Sequence, residues 1–170
     1  QLKDVLDIPK NIHFFDLSQN AKQYEALTKI RKELGLRTIF NTIERLLFST
    51  QSRFGIVGMF HSVYFRKYKA LYGKQYERLV IVQGDEGTPE IAKDCKIAVI
   101  DNNEVVQEIR IKLEDFGINF ERGVEKMPLQ DMADMLKTPS DDFMKLAKLN
   151  TALLMLASKQ SDDIHKAYEQ

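Results

Sequence analysis

The residues of this chain that could carry chemistry stand in a few short stretches. Asp85, Glu86 and Glu90 fall within Gln83-Gly84-Asp85-Glu86-Gly87-Thr88-Pro89-Glu90-Ile91, directly after an apolar run. Hard oxygen ligands of this kind suit magnesium, which takes one or two carboxylates and fills the rest of its shell from water and phosphate oxygens. A solvated turn would use the same residues. Arg31 presents a planar fork able to hold a carboxylate through two parallel hydrogen bonds, although most arginines on helices simply face water. His61 follows the apolar run 54–60, which places it at the ligand-bearing end of a strand if the sheet is parallel, and a structural role competes with that reading. The single cysteine, Cys95, has no disulfide partner and no CxxC spacing, and its apolar flank reads as a half-buried structural thiol. The three histidines do not assemble with it into a nucleophile and base.

These groups need a scaffold, and the apolar periodicity supplies one. Tyr24, Leu27, Ile30 and Leu34 recur every three or four residues between Asp16 and Gly35, predicting a helix capped near Asp16 or Ser18 and ended by Gly35. A second helix is expected after Thr38, through Ile39, Phe40, Ile43, Leu46 and Leu47. The run 54–60 and the run 78–83 are short, apolar on both faces and read as buried parallel strands. Between them Ser62 is expected to cap a helix carrying Val63, Phe65, Tyr68 and Tyr72 and closed by Gly73, which completes a βαβ crossover.

Segments 96–100 and 104–111 flank Asp101-Asn102-Asn103, where the asparagines tolerate positive φ, so a β-hairpin is predicted. Helices follow from Pro128 to Leu136, from Ser140 through Leu146, Leu149, Leu153, Leu154 and Leu156, and from Ser161 onward. The fold class is therefore α/β: a parallel-stranded sheet flanked by helices, with a β-hairpin and a helical C-terminus, in a single domain over 1–170.

At 170 residues, 44% hydrophobic and 29% charged, the chain can bury a core and is not disordered by composition. No apolar stretch approaches the roughly 18 residues that span a bilayer, and the start shows no basic segment followed by an apolar one, so a soluble cytoplasmic protein without a membrane partner is expected. The formal net charge of zero hides an asymmetry: residues 22–78 carry 12 bases and 4 acids, residues 84–170 carry 11 bases and 18 acids. A basic first half gives an anionic partner a physical motive. Arg37, Arg45 and Arg53 are the candidates to touch nucleic acid, unless the two halves interleave and cancel.

Three stretches, read in order, resemble the anthranilate phosphoribosyltransferase family of glycosyltransferases. They are Ile30-Arg31-Lys32-Glu33-Leu34-Gly35-Leu36-Arg37-Thr38-Ile39-Phe40-Asn41, then the acidic loop 83–91, then Leu113-Glu114-Asp115-Phe116-Gly117-Ile118 followed by Leu149-Asn150-Thr151-Ala152-Leu153-Leu154. The resemblance covers about 11–170 and implies the C-terminal α/β portion of a larger protein that, when complete, transfers phosphoribose from phosphoribosyl pyrophosphate to an aromatic amine or nucleobase, a reaction of tryptophan biosynthesis when the acceptor is anthranilate. It implies substrate binding by Arg31, Asn41 and His61, magnesium bound by Glu90, Glu86 and Asp85, and a homodimer as a further possibility.

The departures from the family carry equal weight. Pro89-Glu90 stands where the family has an Asp-Glu pair, which leaves Glu86 or Asp85 to substitute. Where the family continues from the asparagine into a Gly-Pro-Leu turn, this chain runs Asn41-Thr42-Ile43-Glu44-Arg45-Leu46-Leu47, and no glycine-rich phosphate loop occurs anywhere. Glu86-Gly87-Thr88-Pro89 and Arg45-Leu46-Leu47 are closer to a non-enzymatic paralogous branch of the same fold that binds nucleic acid, and that reading stays open beside the enzyme. Without the upstream half, the 170 residues alone are expected to be inactive.

Overall fold

The computed structural model describes residues 29–30, 33–35, 52–120 and 129–170. The chain divides into two units, Gln1–Gln51 and Ser52–Gln170. In the first, residues 29–30 and 33–34 are helical and Gly35 takes the left-handed conformation, φ +64°, of a glycine closing a helix.

The second unit is built on a four-stranded sheet in the order β1-β2-β3-β4. Strand β1 (Phe54–Gly58) lies parallel to β2 (Arg78–Val82), with Ile56 opposite Val80 and Gly58 opposite Val82. Helix α1 (Phe65–Tyr72) forms the crossover, preceded by a short 3-10 turn over Ser62–Tyr64. The hairpin β3 (Cys95–Asp101) and β4 (Glu104–Ile111) joins β2 antiparallel, so the expected parallel pair is present within a sheet that is mixed overall. Its two-residue turn is made by Asn102 and Asn103 at φ 48° and 71°, the mirror-image turn whose twist matches the flanking strands.

Period-two alternation sorts the strands onto two faces. Val80, Val82, Ile97, Val99 and Ile111 face one way and are buried against Leu149, Leu153 and Leu156 of α3 (Asp141–Ala157). Leu79, Ile81 and Ile100 point the other way and are also buried, on the side where Phe65 of α1 stands beside Ile81 and Ala98. Helix α2 (Leu129–Lys137) precedes α3, and α4 (Ile164–Glu169) packs against it.

Side-chain caps fix the starts of the last two helices. Ser140 Oγ accepts from the Phe143 amide at 3.2 Å as expected, and Asp141 and Asp142 complement the positive end of the α3 dipole. The last helix is capped by Asp163, whose carboxylate accepts from the amides of His165 and Lys166, rather than beginning at Ser161. Ser62 caps nothing; His61 occupies the cap position of the 3-10 turn without a side-chain hydrogen bond, and Gly73 stays right-handed at φ −58°. Leu154 is 59% exposed, because it sits one residue past Leu153 and so rotates about 100° off the buried stripe.

Candidate functional site

The carboxyl ends of β1 and β2 and the loop after β2 form one edge of the sheet, the edge at which open α/β sheets bind ligands. Pairing continues past β1, where the Met59 amide donates to the Val82 carbonyl at 2.7 Å, and past β2, where the Gln83 amide donates to the Lys96 carbonyl at 2.8 Å. Loop 84–90 then folds back as a tight 3-10 turn over Asp85–Gly87, with the Thr88 amide and hydroxyl both donating to the Asp85 carbonyl, at 2.9 and 2.8 Å. A β-carbon at Gly58 would overlap the backbone of Gly87 and Thr88, and one at Gly84 would overlap the Thr88 carbonyl. Both positions therefore require glycine so that backbone can lie on backbone.

The far end of the loop is fixed by α3. Asn150 accepts from the Ile91 amide at 2.9 Å through Oδ1 and donates from Nδ2 to the Ile91 carbonyl at 2.9 Å and to Leu146 at 3.0 Å. One side chain thus satisfies both backbone groups of a buried residue that has no strand partner.

His61 sits where expected, exposed at the end of β1, with its ring 4.2 Å from that of Phe60 and nearly perpendicular to it. It lines an open cavity of about 340 Å³ together with Gln83, Gly84, Lys93 and Lys96. Of the candidate metal ligands, Asp85 is in the loop and pairs with Lys93 at 2.5 Å, while Glu90 is exposed at the loop's end. Glu86 contributes to the turn, and its side chain lies outside the described residues. No group of three or more His, Cys, Asp or Glu able to hold a metal occurs among the described residues. Asp85 is engaged by the Lys93 ammonium, Pro89 carries no carboxylate and Glu90 is exposed, so the expected magnesium ligands are not drawn together into a group of three among the described residues.

Arg31, Asn41, Arg37 and Arg45 lie outside the described residues. Arg53 stands at the opposite edge, before β1, and is held by Glu77 through Nε at 3.1 Å and Nη2 at 2.6 Å, which engages the fork that a phosphate would need. The same edge carries a residue the sequence reading passed over. Arg78, 7% exposed, grips both oxygens of Asp101 at 2.7 and 2.8 Å and also reaches Asp162 at 2.9 Å and the Leu156 carbonyl at 3.1 Å. Those hydrogen bonds raise the guanidinium's pKa and hold the Asp101 carboxyl below its ordinary range. Cys95 is buried at the start of β3, and burial, with Asp94 beside it, pushes the thiol up to about 11. No described helix is long and apolar enough to cross a membrane.

A family model described as glycosyl transferase family, a/b domain, matches residues 3–170. An anthranilate phosphoribosyltransferase of Sulfurisphaera tokodaii is 24% identical over 153 residues, which cover 84% of this chain and 44% of that protein. An uncharacterized protein of Aquifex aeolicus is 25% identical over 168 residues, 95% of this chain and 54% of its own length. Among solved structures, anthranilate phosphoribosyltransferase from Saccharomyces cerevisiae in complex with phosphoribosyl pyrophosphate and Mg superposes with a TM-score of 0.61 at 21% identity, over 84% of this chain and 42% of that one. The same enzyme in complex with 4-fluoroanthranilate gives 0.64 at 21% identity over 84% and 44%. The chain spans about half the length of the relatives it matches.

Proposed function

This chain belongs to the glycosyl transferase family as its a/b domain, and from that premise we propose that it is the C-terminal α/β portion of a phosphoribosyltransferase. In the complete protein phosphoribose passes from phosphoribosyl pyrophosphate to an aromatic amine or nucleobase: the bond from ribose C1 to the pyrophosphate oxygen breaks, a C1–N bond forms, the acceptor nitrogen gives up a proton and pyrophosphate leaves. The observation that carries this reading is the loop 84–91, fastened at one end by backbone contact with β1 and at the other by Asn150, beside exposed His61 at the carboxyl ends of two parallel strands. A fastened loop presents its groups without an ordering cost at the moment of binding.

His61 and the cationic groups beside it would meet the anionic donor. No step is routed through a metal, since Asp85 already neutralises Lys93. Positioning in well-aligned systems is worth about 7–11 kcal/mol, which one half of a two-part site cannot supply, so the 170 residues alone bind and do not turn over.

The test is a titration of the 170-residue chain with phosphoribosyl pyrophosphate, read by amide NMR shifts. Saturable shifts at Gly84, Thr88 and His61 that weaken in His61→Ala support the reading. A silent loop, or turnover by the chain alone, would overturn it. Tight DNA binding with a steep salt dependence would instead favour the nucleic-acid paralogue.

A further inference from the structure

Lys96 of β3 and Arg110 of β4 stand directly opposite each other across the hairpin, both exposed. Like charges placed opposite on neighbouring strands repel, so the pair is unfavourable as it stands. The other cations nearby are matched, Lys93 by Asp85 and Lys112 by Glu114 at 3.0 Å, whereas Lys96 and Arg110 take part in no ion pair among the described residues. They flank a second open cavity of about 360 Å³ on the α1 side of the sheet. Its floor is apolar, from Ile81 and its cross-strand neighbour Ala98 with Met59 and Phe65 beside them. Glu108, opposite Ala98 and two residues from Arg110, closes the far end.

We propose that this groove binds a small amphipathic monocarboxylate, its carboxylate between Lys96 and Arg110 and its apolar body on Ile81 and Ala98. The Arg110 fork matches a carboxylate, Lys96 adds a point charge, and a volume of this size holds one small molecule. Glu108 lies about 6.6 Å along the strand from Arg110, close enough to repel a second anionic group, and this selects a single charge over phosphate or a polyanion. The groove adjoins the His61 cavity, with which it shares Gln83, Lys96 and Arg110, but the proposal does not depend on the transferase reading.

The test is an amide NMR titration of the chain with hexanoate, hexanol and inorganic phosphate. Hexanoate should saturate shifts at Ala98 and Arg110, with hexanol and phosphate weaker by about tenfold or more. The Lys96→Gln/Arg110→Gln double variant should lose hexanoate affinity by about tenfold or more without a lower melting temperature, and Glu108→Gln should tighten it. Equal binding of phosphate and hexanoate, shifts elsewhere or none, retained affinity in the double variant, or a double variant that melts earlier would each overturn the proposal. Lys96 and Arg110 also line the His61 cavity, so the control is Glu108→Gln, which lies in the groove and not in that cavity. Phosphoribosyl pyrophosphate shifts at Gly84 and Thr88 should be unchanged in Glu108→Gln while hexanoate tightens, which separates failure here from failure of the transferase reading.

Discussion

Asn150 and Ile91, 59 residues apart in sequence, are joined as two strands would be, the carboxamide accepting a hydrogen bond from the amide of Ile91 and donating one to its carbonyl. Helix α3 thereby holds the loop that follows β2, and the core of the fold is coupled directly to its ligand-bearing edge.

Asn150→Ala would leave the Ile91 amide and carbonyl buried without partners. Each such group costs about 1–3 kcal/mol, so a loss of roughly 2–4 kcal/mol in chemical denaturation is expected. Amide hydrogen exchange at Ile91 should accelerate by more than at Val80 in the same variant. Equal protection at both positions would show that the clamp does not hold the loop locally.

Arg78→Met removes the cation at the start of the central strand and strands the Asp101 carboxylate beside it. Breaking a buried pair from one side costs about 3–5 kcal/mol, and the low end applies because Asp162 is largely exposed. Pairing the change with Asp101→Asn should recover part of the loss, measured by a double-mutant cycle in urea.

Acid should unfold the protein partly through this edge. The Asp101 carboxyl is held below its ordinary value chiefly by hydrogen bonds from Arg78, and Glu77 likewise by Arg53 and Lys159. A depressed carboxyl contributes stability that is complete above its unfolded value, near 4, and disappears as pH falls through the folded one. Asp101→Asn should therefore be less stable than the parent at pH 5–7, with the gap closing below about pH 4. A gap that stays constant down to pH 2 would contradict the assignment.

Cys95 should be inert to thiol reagents in the folded state. With the thiol pushed up to about 11 by burial, thiolate is about one part in a thousand at pH 8, and the sulfur is covered as well. Disulfide-exchange labelling should become fast only on adding urea, at a rate set by unfolding. Prompt labelling of native protein would show that β3 opens at its start.

How much of this was written legibly in the chain depends on distance along it. The apolar runs at 54–60 and 78–83, the Asn102-Asn103 turn and the Ser140 cap are local patterns, and each appears where it was expected. That the hairpin runs antiparallel to β2 was not legible, because a strand buried on both faces looks the same in either direction. Asp85, Glu90 and His61 were placed at the right edge by their position after strands. What each one touches was not legible: Lys93 on Asp85 could be guessed from nothing nearer than eight residues. Asn150 offered a signal, a polar residue between Leu149 and Leu153 on a buried stripe, but its partner was out of reach. The facing of Lys96 and Arg110 follows only once the hairpin register is known.

The Arg78 network and loop 84–91 stand at opposite ends of the same strand. Five residues of β2 separate them by about 16 Å, farther than charges act at physiological salt. Substitutions that retune what is bound at one end are electrostatically silent at the other. Natural variation can therefore rewrite the binding rim while the ionic anchor keeps the sheet in register, and a protein engineer could vary Asp85, Glu86, Pro89 and Glu90, keeping Gly84, Gly87 and Ile91, with Arg78, Asp101 and Asp162 untouched as a fixed foundation.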